Sequence, residues 1–203
     1  MPTISPGSIV LQSDIEAAVR DTLKLWMPFY LADIDEQQER DRGTTSPPRT
    51  WDIASDNDTR WLEETPPALL VACAGTVDEP ELHGDQASYA ATWQVNIGVA
   101  VGGATESGAR DLAGRHAGAI LYTLVQQPDM GGFARATWWK GSRTDAVARD
   151  RAVMATEVLA HVQVAEVVDT RGLLPRTPPD PITDPAAATP LVTGTRVRIT
   201  RRP

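Results

Sequence analysis

Ala91-Thr92-Trp93-Gln94-Val95-Asn96-Ile97-Gly98-Val99-Ala100-Val101 alternates apolar residues with polar or small ones without a break. Successive side chains of a strand point to opposite faces, so Ala91, Trp93, Val95, Ile97, Val99 and Val101 share one face, and that face must be buried. The glycine pair Gly102-Gly103 and a short polar stretch follow. Apolar residues then recur at Ala109, Leu112, Ala113, His116, Ala117, Ile120, Leu121 and Leu124. Spacings of three and four mark one face of a helix, which Pro128 closes. A long strand feeding a helix that lies back on its apolar face predicts a two-layer α+β domain.

Upstream, Ser13-Asp14-Ile15-Glu16 reads as a capping box for a helix with Ile15, Ala18, Val19, Thr22, Leu23 and Trp26 on one side. Pro28 has no N–H and is expected to end or kink that helix. Phe29, Tyr30, Leu31 and Ile34 then form a second short amphipathic segment before a polar run at 35–42. Residues 43–67 read as a loop that packs through Trp51 and Trp61, and 68–74 as a short buried strand ended by Gly75. Residues 76–88 are acidic and turn-rich.

Downstream, Met130-Gly131-Gly132 make a turn, 133–140 a strand, 141–151 a polar connection and 153–168 a second long strand. In that strand Val158, Ala160, Val162 and Val164 alternate with Glu157, Leu159, His161 and Gln163. Residues 1–168 are therefore expected to form a mainly antiparallel sheet packed by an N-terminal and a central helix. From 169 the composition changes. Pro175, Pro178, Pro179, Pro181, Pro185 and Pro190 exclude a helix or a central strand. Residues 191–200 return to alternation, with Val192, Val197 and Ile199 among Thr and Arg. Residues 169–203 thus read as a Pro-rich C-terminal arm ending in a short strand, suited to pairing with a sheet edge of its own chain or a neighbour's.

A chain of 203 residues is long enough for one core. It has no apolar run of membrane-spanning length and no basic and apolar leader, so neither a membrane span nor a signal peptide is expected. A single cysteine, Cys73, excludes an internal disulfide framework and a multi-cysteine zinc site, and its apolar surroundings read as those of a buried thiol. These features predict folding inside a cell. The net charge of −8 argues against a nucleic-acid-binding body, because phosphate binding needs a basic face.

Few motifs point to chemistry. Gly102-Gly103-Ala104-Thr105-Glu106-Ser107-Gly108 lies between strand and helix, where phosphate loops occur. It lacks the Gly-Lys-Ser/Thr ending and the dinucleotide glycine spacing, and reads as a turn and helix start. Asp78, Glu79, Glu81, His83 and Asp85 form a carboxylate-rich loop without calcium-loop spacing, and read as solvated acids. No nucleophile–base set stands out by spacing. No catalytic residue, cofactor or metal is expected. Of the six tryptophans, Trp26 and Trp93 follow apolar periodicities and read as core. Trp138 and Trp139 are adjacent in a strand and cannot both point inward. Tryptophan is enriched at interface hot spots, so this pair is a candidate subunit contact, together with Val192, Val197 and Ile199.

The layout and several phrases resemble the tail terminator (tail completion) proteins of long-tailed phages, particularly those infecting actinobacteria. The phrases are Met27-Pro28-Phe29-Tyr30-Leu31-Ala32, Pro67-Ala68-Leu69-Leu70-Val71, Trp93-Gln94-Val95-Asn96-Ile97-Gly98-Val99 with Gly102, and His116-Ala117-Gly118-Ala119-Ile120. Arg171-Gly172 and the Pro-rich segment continue the likeness. The resemblance implies a non-enzymatic virion subunit, made in the host cytoplasm, that forms a six-membered ring of itself in the neck of the tail. That ring would stop tube polymerisation, contact the tail tube protein and the head–tail connector protein, and let DNA through its lumen without specific binding. A head-completion or connector subunit of the same particle shares this layout and is the alternative. A nucleotide- or cation-binding module using the 102–108 turn or the 78–85 loop is the reading from a different class.

Overall fold

A computed structural model describes residues 9–38, 41, 43–54, 66–82, 88–148 and 152–169. In chain order the elements are α1 (Gln12–Gln37), β1 (Thr50–Ile53), β2 (Ala68–Thr76), β3 (Glu81–Leu82), β4 (Ser88–Gly102), α2 (Glu106–Gln126), β5 (Ala136–Ala148) and β6 (Val153–Asp169). The strands make one six-stranded sheet in the order β1-β2-β4-β6-β5, with β3 beside the start of β4. Among the described strands only β1 and β2 run parallel, and the other pairings are antiparallel. The result is the α+β fold expected from the sequence.

The alternation in β4 does what its period requires. Val95, Ile97, Val99 and Val101 are sealed on the helix side, opposite the equally buried Ala160, Val158, Thr156 and Met154 of β6. Helix α2 lays Ala109, Ala113, Ile120 and Leu124 on this floor, and α1 adds Ile15, Val19, Leu23, Met27 and Leu31. Each large side chain buried this way contributes roughly 1.5–3 kcal/mol. β6 runs past the start of β5, and there Ile9 bridges Val168 while the Val10 N–H donates to the Val167 carbonyl at 2.8 Å. The turn after α2 takes three successive left-handed residues, Met130, Gly131 and Gly132, at φ 50, 69 and 88°.

Several local expectations change. The first helix begins at Gln12, and Asp14, not Glu16, reaches back to accept the Leu11 N–H at 2.8 Å. Glu16 is buried and serves the sheet instead. Pro28 does not end the helix, which continues to Gln37. The stripe Leu23, Met27, Leu31, Ile34 is continuous across Pro28, and its burial outweighs one lost backbone hydrogen bond. The second short segment is thus the end of α1, and Asp35 lies in the core instead of opening a polar run. The loop at 43–67 contains β1, which docks Trp51 and Ile53 on the core, whereas Trp61 lies outside the described residues. β2 passes Gly75 to Thr76 through a bulge. β5 absorbs most of the expected 141–151 connection, because Thr and Arg residues there pair with β6. Trp93 packs on the core, but Trp26 lies half-buried beside Phe29. β6 ends at Asp169, and the rest of the arm expected over 169–203 lies outside the described residues.

Candidate interaction surface

The end strand of the sheet is its most accessible long element. β5 pairs with β6 along one side, and among the described residues no strand pairs with its other side. Such an edge offers unpaired N–H and C=O groups along its length. Two bulges, between Trp139 and Gly141 and between Ala146 and Ala148, interrupt its regularity. Lys140, Arg143 and Asp145 add exposed charge. Both features discourage indiscriminate strand pairing while leaving a shaped surface.

Trp138 and Trp139 sit near the start of this edge. Trp138 pairs with His161 on the helix-free face, where the two rings meet edge-on with centroids 6.0 Å apart at 63°. Trp139 pairs with buried Ala160 and therefore stands on the helix side. Neither enters the core: they are 37% and 49% exposed. Burial, and then the charge of Lys140, hold the His161 pKa below its usual value against the opposing pull of Asp78, so a neutral ring lies under Trp138 at neutral pH.

The helix-free face of the sheet continues the surface. Gln94 and Asn96 of β4, Glu157 and Leu159 of β6, and Gly141 and Arg143 of β5 line an open cleft of about 430 Å³. Arg143 spans the cleft's rim to Glu157, Nε to carboxylate at 2.7 Å, as their register pairing requires. The side-chain oxygen of Asn96 is buried with no hydrogen-bond partner.

Of the other sequence candidates, the acidic loop approaches this surface through the charge of Asp78 on His161. At the glycine-rich turn, Thr105 caps α2 by accepting the Gly108 N–H at 3.1 Å, and the Ala109 N–H goes to the Thr105 carbonyl at 2.9 Å. A Cβ on Gly103 would sit 2.5 Å from the Ala109 nitrogen, so this glycine is needed for close packing of turn on helix. In the acidic loop Asp78, Glu79 and Glu81 are exposed, and His83 and Asp85 lie outside the described residues. Among the described residues no group of three or more His, Cys, Asp or Glu side chains is placed to hold a metal ion. No described helix is long and apolar enough to cross a membrane. Val192, Val197 and Ile199 lie outside the described residues.

One polar cluster was not anticipated. Arg115 of α2 and Asp35 of α1 meet at 3.2 Å with both side chains buried, and Thr45 donates to Asp35 through its N–H at 2.7 Å and its hydroxyl at 2.6 Å. Asp111, four residues before Arg115, takes the other end of the guanidinium. The i,i+4 spacing of Asp111 and Arg115 was the available signal. The cluster ties the 43–49 segment to both helices, with Asp35, Thr45 and Arg115 buried and Asp111 at its solvent-facing end. No protein-family model matches the chain, and no curated protein matches it.

Proposed function

We propose that this chain is a structural virion subunit, the tail terminator of a long-tailed phage, which caps the tail tube, stops its polymerisation and offers a joining surface to the head. The observation that carries the reading is the long β5 edge, unpaired among the described residues, with its two exposed tryptophans. A ring subunit has to present such a surface to a different surface of its neighbour. The two-layer α+β layout and the phage-like phrases around Met27, Pro67, Trp93 and His116 support it as well. A net charge of −8 suits a channel that passes DNA without gripping it. On this reading the partners are further copies in a six-membered ring, the tail tube protein and the head–tail connector. The functional residues are then contact residues.

Electron microscopy of phage with this reading frame disrupted tests the proposal. Heads beside separate, overlong tail tubes are the expected result. Separate heads and tails of normal length would move the role to head completion, and normal virions would overturn the assembly reading altogether.

A further inference from the structure

The length of the β5 edge decides what can fill it. Among the described strands at the margins of the sheet, β1 has 4 residues, β3 has 2 and β5 has 13. Only β5 offers a ladder long enough for the strand pattern at 191–200, which no described element uses. That pattern, Val192, Val197 and Ile199 among Thr and Arg, lies outside the described residues and is known from its sequence.

The two sides of the edge differ, and so do the two faces of the pattern. On the helix side α2 packs over β5 and Trp139 stands exposed, whereas Trp138 stands on the helix-free side beside His161. In an extended 191–200 segment Val197 and Ile199 share one face, and Arg196 and Arg198 the other. The apolar face suits the helix side, and the arginines suit the open side, where a guanidinium can lie on an indole. Charge does not select the occupant. Within β5, Arg143 is bonded to Glu157 at 2.7 Å, and Lys140 and Asp145 are of opposite sign. The attraction of such an edge is its free main-chain ladder.

We propose that the 191–200 segment of one copy adds as a strand to the β5 edge of the next copy. The inference rests on the assembly reading above and names the two surfaces that meet. The length of the intervening chain favours a neighbour. Residues 170–190 carry six prolines, a composition that favours an extended, semi-rigid course. At about 3.1 Å per residue those 21 residues span about 65 Å. The whole of β5 is about 43 Å long at about 3.3 Å per residue, so the spacer outreaches the edge of its own copy. Donor strand and acceptor edge are different surfaces, and a contact of that kind closes into a ring when its rotation permits.

The full chain and its Val197→Pro variant test it by native mass spectrometry and amide hydrogen exchange. Proline has no N–H to give to a ladder. The wild type is expected to assemble beyond the dimer and to stay assembled at high salt, and the variant to be monomeric with faster exchange over 136–148. A synthetic peptide of residues 188–203 should then bind the variant one to one and slow exchange over 136–148. The same peptide carrying Val197→Pro should do neither. An assembled variant, a peptide that does not bind or that protects another element, or assembly lost at high salt would each overturn the contact. A monomeric wild type would overturn it too, and if its 136–148 amides exchange slowly until Val197→Pro is introduced, the segment pairs within its own copy. The variant must melt with the wild type; if it does not, Ile199→Pro takes its place. A monomeric wild type whose loss still yields overlong tails would overturn this contact and leave the capping role. Strand exchange in a protein whose loss leaves virions normal would do the reverse.

Discussion

Cys73 donates its backbone N–H to the carboxylate of Glu16 at 2.8 Å, and Gln12, one turn earlier on α1, donates to the Cys73 carbonyl at 2.5 Å. The N–H and C=O of one strand residue point to the same side. Here they point away from β4, to the side where β1 has already stopped, its last pair being Ile53 with Val71. Two side chains of α1 thus complete a ladder that β1 is too short to finish. Glu16→Ala would leave a buried N–H unpaired and should cost about 1.5–3 kcal/mol in urea unfolding. Glu16→Gln keeps an acceptor in place and should recover part of that loss, a result that a mere volume effect at this position would not separate from Glu16→Met.

The same contact predicts an inert thiol. Burial is the main cause that raises the Cys73 pKa, and the Glu16 carboxylate raises it further, against the opposing hydrogen bond from the Gly75 backbone. Thiolate is the reactive form and the side chain is covered, so an aromatic disulfide reagent should leave the native protein unlabelled at neutral pH. Labelling should appear together with the urea unfolding transition. Rapid labelling of the native chain would mean that β2 opens locally.

The two glycines Gly103 and Gly114 should respond in opposite ways to alanine. At Gly103 a methyl group would press on the Ala109 backbone, at 2.5 Å from its nitrogen and 2.9 Å from its Cα. Backbone cannot swing aside as a side chain can, so Gly103→Ala should destabilise by about 1–3 kcal/mol. Gly114 lies inside α2 with nothing within 4 Å of an added Cβ. There Gly114→Ala should stabilise by about 0.5–1 kcal/mol through helix propensity alone. Thermal melts of the two variants check both signs.

The long periodic elements could be read from their own residues. β4, α2 and β6 each repeat a period often enough that no tertiary contact is needed to identify them. β1 could not, since Thr50, Trp51, Asp52 and Ile53 are too few to show alternation and owe their conformation to pairing with Ala68–Val71. Pro28 misled because a local rule about one hydrogen bond competes with four buried side chains that only the folded protein brings together. Asp35 and Arg115 look like surface charges one at a time, and become core only as a pair from different helices. The tryptophan pair was legible in part: two adjacent strand residues cannot share a face, so one had to be exposed, whereas the exposure of both goes with the place of β5 at the end of the sheet.

The Asp35–Arg115 cluster and its neighbour His116 should set how the protein responds to acid. Burial alone would raise the Asp35 pKa, but the two hydrogen bonds from Thr45 and the Arg115 guanidinium hold it below the ordinary 3.8. For His116 burial dominates and lowers the pKa below 6.5, aided by the charge of Arg115. The Leu112 carbonyl at 2.8 Å, the Ser46 carbonyl at 3.1 Å and the Asp35 charge oppose that shift without reversing it. In both cases the unfolded chain binds more protons between the two pKa values, so stability rises with pH across each window. The His116 contribution is full above 6.5 and is lost as pH falls toward the lower folded value. The Asp35 contribution is lost only below 3.8. Urea midpoints measured from pH 8 downward should therefore decline in two separate steps, and a His116→Gln variant should lack the first. Arg115→Met leaves the Asp35 carboxylate buried without its cation and should cost about 3–5 kcal/mol at neutral pH. That cost should shrink in acid, because without the cation Asp35 takes up its proton at a higher pH and the buried charge disappears. A cost independent of pH would mean that Arg115 matters for its packing and not for its charge.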